Sequence, residues 1–352
     1  MAANPTRWGE TPGEPHPPPA KHGSRGRSPH QSEILLPVRD YDLAATIDSG
    51  QVFRWQHDGN SWQGVLGKHF IQLTQTPDGI LAQAATPVAD WNFLRTFLQS
   101  DVDLGAILKT FPDDEPMRRA VAACPGLRLL RQDPWECLAS FILSSTKQIV
   151  QIRQIVALLC ERYGEPVAGS GRAGFPACRF TGLSSPVFQR ATGKSPKPAD
   201  KNVCPTSGEP ALGVGPACFP TPQRLAAASE AELRGCKMGF RAPGLLNTAR
   251  QIADGKLDLE KIRELDYAAA RAELMQLRGV GGKIADCVLL FAYGFDSAFP
   301  VDVWIERALQ ELYFPRRRAS EKRLRQFAAT HFGLHAGYAQ QYLFHYMRTK
   351  KK

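Results

Sequence analysis

The chain has 352 residues, of which 43% are hydrophobic. That is more than a usual single domain and enough for real cores, so two folded units with tails are expected. No uncharged apolar run of about 18 residues occurs, which argues against a transmembrane helix. The N-terminus lacks the basic and apolar regions of a secretory signal. The net charge of +10 is concentrated: residues 315–352 carry ten Lys/Arg against the single acid Glu321. A polyanion such as nucleic acid is the natural partner for that surplus, although a solubilising tail would share the composition.

In chain order, residues 1–30 are Pro-, Gly- and polar-rich without apolar periodicity and are expected to be disordered. A small N-terminal α/β domain is expected over 31–125. Its strands fall in 31–81, with Ser61–Leu66 and His69–Thr76 as the clearest and Asp58-Gly59 and Asp78-Gly79 as turn signals. Helices are expected near Trp91–Leu98 and Asp103–Thr110. From Trp135 the period becomes helical: Leu138, Phe141, Ile142, Ile149, Ile152, Ile155, Val156 and Leu159 share one face. Residues 165–222 hold ten Pro and eight Gly in 58 positions and read as a disordered insertion. Further helices are expected at Arg224–Leu233, Leu245–Ala253, Tyr267–Leu277, Lys283–Tyr293, Val303–Leu312, Lys322–Phe332 and Ala336–Met347. They complete a helical domain over 126–348, followed by a basic tail over 349–352. The fold class is therefore α+β, a small antiparallel-sheet domain followed by an all-helical one. The eight cysteines show no C-x-x-C pair and no nearby histidine cluster, so neither a zinc site nor a disulfide framework is expected, and a reducing compartment fits. None lies beyond Cys287, which leaves no C-terminal four-cysteine iron–sulfur loop.

The segment richest in chemical information is Leu277-Arg-Gly-Val-Gly-Gly-Lys283, with Asp302 nineteen residues past the lysine. Gly279, Val280 and Gly281 suit a tight turn between two helices, whose N–H groups can hold a phosphate without reading sequence. A Walker loop would need Ser or Thr after the lysine, and Ile284 stands there. Lys283 falls in the first turn of a helix, where the dipole disfavours positive charge. A lysine that sheds its proton there is a nucleophile able to form a Schiff base, and a solvent-exposed lysine is the plain alternative. Asp302 precedes a helix and reads as an N-cap. Held ionised, the same carboxylate could stabilise an oxocarbenium ion.

These residues resemble the helix-hairpin-helix DNA glycosylase superfamily. With Ser49–Trp55, Arg128–Pro134, Glu136-Cys137, Phe141-Ile142, Gly239–Ala242, Gly337–Gln340 and Leu343-Phe344, the resemblance over about 33–348 narrows to the 8-oxoguanine DNA glycosylase family. It implies a bifunctional glycosylase and abasic-site lyase without cofactor or metal, acting on duplex DNA that contains oxidised guanine. It implies no membrane association, a monomer, and a bacterial cytoplasmic, nucleoid-associated location, or a nuclear one in a eukaryote. A glycosylase of the same fold acting on other damaged purines, or a non-catalytic helix-hairpin-helix DNA-binding protein, are the alternatives.

The resemblance also assigns roles. Lys283 would attack the sugar and Asp302 support its charge. The Gly50 carbonyl would accept the N7 hydrogen that distinguishes 8-oxoguanine from guanine. Phe344 and Cys287 would sandwich the base, and Gln340 would bond its Watson–Crick edge from the helix face it shares with Phe344. Phe240 would wedge into the vacated stack and Arg241 would contact the orphaned cytosine. Thr146 and Gln151 stand where better-known eukaryotic members carry an Asn and an Arg that read that cytosine, so weaker opposite-base discrimination is expected. Trp304 stands where those members carry a His, so a phosphate contact by that His is not expected.

Overall fold

The computed structural model describes residues 31–145, 148–168, 216–316 and 318–350. The N-terminal unit contains β1 (Gln31–Leu36), α1 (Leu43–Asp48), β2 (Trp55–Asp58), β3 (Ser61–Leu66), β4 (His69–Thr76), β5 (Gly79–Val88), α2 (Asn92–Leu98), α3 (Leu104–Leu108) and α4 (Glu115–Ala123). The five strands form one antiparallel sheet in the order β1-β5-β4-β3-β2. Two-residue connections join β2 to β3, β3 to β4 and β4 to β5, which fixes the register, with Asp58 opposite Ser61 and Thr76 opposite Gly79. One sheet face closes over Ile71, Leu73, Ile80, Trp55 and Trp62, against Leu94, Phe97 and Leu98.

The helical unit follows with α5 (Pro134–Leu143), α6 (Ile149–Tyr163), α7 (Pro222–Ala226), α8 (Glu230–Leu233), α9 (Ala242–Ala253), α10 (Tyr267–Met275), α11 (Gly282–Val288), α12 (Val303–Tyr313), α13 (Glu321–His331) and α14 (Ala336–Thr349). The two cores interlock. Leu130 packs into the sheet's cluster, while Ala45 and Phe53 belong to the helical cluster. The last helix seals the junction, its Tyr342 hydroxyl donating to the Leu127 carbonyl at 3.1 Å. Among the described residues no helix is long and apolar enough to cross a membrane.

Several expectations need correction. The segment read as a disordered insertion is ordered at both ends. Val167 N–H donates to the Pro216 carbonyl at 2.9 Å and Cys218 N–H to Glu165 at 2.8 Å. Trp135 Nε1 donates to the Pro220 carbonyl at 2.8 Å, and Thr221 caps α7. The two ends meet in an isolated antiparallel bridge between Pro166 and Ala217, and residues 169–215 lie outside the described residues, as do 1–30, 351 and 352. Arg224–Leu233 is two helices rather than one, because Ser229 and Glu232 form a capping box that starts α8 afresh. Lys283–Tyr293 is helical throughout, but its second half, Leu289–Tyr293, widens into a π turn. Helices α1 and α4 were not anticipated, and each is started by an aspartate cap, Asp42 and Asp114.

Candidate active site

The hairpin joins α10 to α11. Asp266 caps α10, and the chain turns where Val280 N–H donates to the Leu277 carbonyl at 3.0 Å. Gly279 occupies the third position of that turn with φ +88°, a conformation that side chains resist. Val280 is buried, whereas Gly279 and Gly281 face solvent, so the first amides of α11 open outward. A buried carboxylate braces the two helices. Asp286 on α11 accepts from Arg271 Nε at 2.6 Å and from the Tyr267 hydroxyl at 2.8 Å, both on α10.

Lys283 is the second residue of α11, one turn before Cys287 on the same face. Its Nζ lies 5.8 Å from the centre of the Phe141 ring. Phe141 in turn stacks on Phe291 and meets the edge of Phe53, both at 5.6 Å between centres. Asp302 caps α12, accepting from Trp304 N–H at 3.0 Å and Ile305 N–H at 2.9 Å. Both charges act on one thiol: burial pushes Cys287 up to about 12, the Lys283 charge pulls it down and the Asp302 charge adds to the rise. Cys287 is therefore a neutral, apolar wall at neutral pH.

Gly50 comes from the far end of the chain. Its φ of +82° is left-handed, and a Cβ there would stand 3.1 Å from Ile149 Cδ1 and 3.3 Å from Phe344 Cε1. The loop carrying it is pinned from both sides. Gln341 Nε2 donates to the Ser49 carbonyl at 2.8 Å and Gln132 Nε2 to the Gln51 carbonyl at 2.9 Å. The fully buried Gln51 side chain donates to Arg128 O at 2.8 Å and Ser49 Oγ at 2.9 Å, and accepts from Leu130 N–H at 2.8 Å. Among the described residues the Gly50 carbonyl, between two occupied neighbours, receives no donor. Gln340 on α14 is 4% exposed, and its Oε1 is buried without a hydrogen-bond partner. An unpaired buried oxygen costs about 1–3 kcal/mol, and this one belongs to a residue on the cavity lining.

One cavity of about 430 Å³ gathers Gly50, Lys283, Cys287, Asp302, Gln340 and Phe344. Sequence reasoning gave no site role to Phe141, which it read only as part of a motif, and missed Ser144, Gln148, Gln341 and Arg348 on its walls. Other expected residues lie elsewhere. Phe240 projects with 65% of its surface exposed, from a backbone strained at Lys237 (φ 63°) and turned at Gly239 (φ 58°), a conformation glycine takes freely. Arg241 is buried beneath it, its guanidinium 4.2 Å from the Phe240 ring centre. Gln151 is exposed on the first turn of α6, where its Oε1 accepts from Gln148 N–H at 3.3 Å. Thr146 lies outside the described residues. No group of three or more His, Cys, Asp or Glu is gathered as for a metal ion among the described residues.

A helical hairpin beside a cavity that holds a lysine and a capping aspartate defines a class of base-excision proteins. Residues 139–331 match the family described as HhH-GPD superfamily base excision DNA repair protein, and the chain belongs to that superfamily. Residues 33–138 match the 8-oxoguanine DNA glycosylase N-terminal domain. Similar proteins include a Methanothermobacter thermautotrophicus protein described as "Probable N-glycosylase/DNA lyase", 29% identical over 90% of this chain and 96% of its own length. The N-glycosylase/DNA lyase of Arabidopsis thaliana is 26% identical over 91% of this chain and 81% of its own. Among solved structures, the Clostridium acetobutylicum 8-oxoguanine glycosylase/lyase in complex with double-stranded DNA containing cytosine opposite 8-oxoguanine aligns with a TM-score of 0.70. It is 28% identical and covers 88% of this chain and 92% of that one.

Proposed function

We propose that this protein excises 8-oxoguanine from duplex DNA and cleaves the resulting abasic site. The observation that carries the reading is the meeting of Gly50, Lys283, Asp302, Gln340 and Phe344 in one cavity, from opposite ends of the chain. The relatives named N-glycosylase/DNA lyase support the two activities, and the Clostridium complex supports duplex DNA with an oxidised guanine as substrate.

The damaged nucleotide leaves the stack, since its anomeric carbon is otherwise unreachable. Phe240 fills the gap, and the exposed hairpin of Gly279, Val280 and Gly281 holds a backbone phosphate at the N-terminus of α11. The base enters between Phe344 and Cys287, Gln340 binds its Watson–Crick edge, and the N7 hydrogen goes to the open Gly50 carbonyl. Guanine has no such hydrogen and would leave that carbonyl unpaired, which is the stronger kind of discrimination. The Lys283 lone pair bonds to C1′ as the N-glycosidic bond breaks, and the base departs with the bonding pair and gains a proton. The Asp302 carboxylate offsets the positive charge developing on the sugar. Ring opening gives a Schiff base at Lys283. Loss of a C2′ proton then breaks the C3′–oxygen bond and expels the 3′ phosphate.

On the orphaned strand, Arg241 reads cytosine, while Thr146 and Gln151 supply a weaker reader than an Asn and Arg pair. The protein works as a monomer in a reducing compartment. Duplexes carrying 8-oxoguanine opposite each of the four bases, with guanine and 3-methyladenine controls, test the reading. Strand cleavage without alkali at 8-oxoguanine, with modest dependence on the opposite base, is expected. Base release from an intact strand, or binding with no release, would contradict it.

A further inference from the structure

Arg348 lies one turn past Phe344 on α14, at the mouth of the cavity. Its guanidinium sits 5.3 Å from the Phe344 ring centre, and its Nη1 donates to the Asp48 carbonyl at 3.3 Å. The same nitrogen would be 3.5 Å from a Cβ built on Gly50. A second cation reaches this corner: Arg153 Nη2 stands 2.9 Å from Asp48 Oδ1. The Asp48 carboxylate is thus taken by Arg153, while Arg348 reaches only the Asp48 main-chain carbonyl. Burial disfavours the Arg348 charge, Asp48 supports it, Arg153 opposes it and Asp302 supports it. Of the five donors of a guanidinium, one is used on the Asp48 carbonyl.

A guanidinium on the cavity lining, with donors to spare and no carboxylate within ion-pair distance among the described residues, is a site for an anion. On the proposed reading, an extruded nucleotide brings its flanking phosphodiesters to this rim. We infer that Arg348 is a substrate-binding residue that donates to a non-bridging oxygen of a phosphate next to the extruded nucleotide. It thereby sets the depth at which the base sits between Phe344 and Cys287. The inference rests on the proposed function.

The test is duplex binding in a Lys283→Gln background, with 8-oxoguanine or undamaged DNA, between 50 and 200 mM salt. Arg348→Leu keeps the apolar packing on Phe344 and removes the charge. On the lesion duplex it should flatten the dependence of log Kd on log salt by about 0.9, the share of one phosphate contact. The affinity deficit should therefore shrink about 3.5-fold across that range. On undamaged DNA the slope and affinity should match the parent, which also certifies folding. Arg348→Lys should restore the slope. An unchanged slope on the lesion duplex, equal changes on both duplexes, or failure of lysine to restore it would each overturn the inference. A parent that shows no preference for the lesion duplex would instead overturn the functional reading beneath it.

Discussion

Gln341 on the last helix donates to the carbonyl of Ser49 at 2.8 Å, across 292 residues of sequence. That bond joins the wall carrying Gln340 and Phe344 to the loop that presents Gly50, so the two ends of the chain close one pocket. Gln341→Met removes it and leaves a buried carbonyl unpaired, at about 1–3 kcal/mol. Denaturant unfolding should show that loss. Single-turnover assays should show a narrower ratio of 8-oxoguanine to guanine excision, with cleavage of a preformed abasic site nearly unchanged. Loss of abasic-site cleavage in step with excision would contradict this division.

Gly50→Ala tests the left-handed loop directly. At φ +82° an alanine carries roughly 1–2 kcal/mol of strain, and its Cβ presses on Ile149 and Phe344. The expected outcome is a stability loss of that size and a base excision rate at least tenfold lower, because the carbonyl turns with the strained backbone. Unimpaired excision would mean that this carbonyl does not read the base.

Gln340→Leu separates function from stability. The buried Oε1 has no partner, so its removal should leave the protein as stable or about 1 kcal/mol more so. Excision of 8-oxoguanine should fall at least tenfold while abasic-site cleavage persists. A clear loss of stability with excision intact would show that Gln340 is a structural residue.

Cys287 gives a pH prediction. Only the thiolate alkylates, and a thiol pushed up to about 12 is ionised to roughly one part in ten thousand at pH 8. Native Cys287 should therefore react with iodoacetamide at least about a hundredfold more slowly than a free thiol, speeding up as pH rises or on unfolding. Mass spectrometry of the alkylated peptide measures this. Reaction at the free-thiol rate would contradict an apolar wall against the base.

Much of this was legible in the sequence because it is local. Asp302 precedes its helix as a cap should, the glycines of 279–281 mark a turn, and Lys283 and Cys287 share a face by spacing alone. What the sequence concealed depends on tertiary closure. No periodicity links Phe141 to Lys283, Asp286 to Arg271, or Arg348 to Asp48, since each pair forms only when separate helices meet. The same limit explains the ends of the proline-rich segment: their order comes from bonds to one another and to Trp135, which composition does not encode. Gln151 illustrates the opposite case, a polar residue whose carbonyl caps its own helix.

The claim most exposed to test is that Lys283 bonds covalently to the sugar. Borohydride reduction during reaction with an 8-oxoguanine duplex, followed by proteolysis and peptide mapping, reads this directly. The DNA should be attached to the peptide containing Lys283, and Lys283→Gln should yield no adduct while still binding the duplex. Attachment at another amine, or an adduct that survives in Lys283→Gln, would contradict the account.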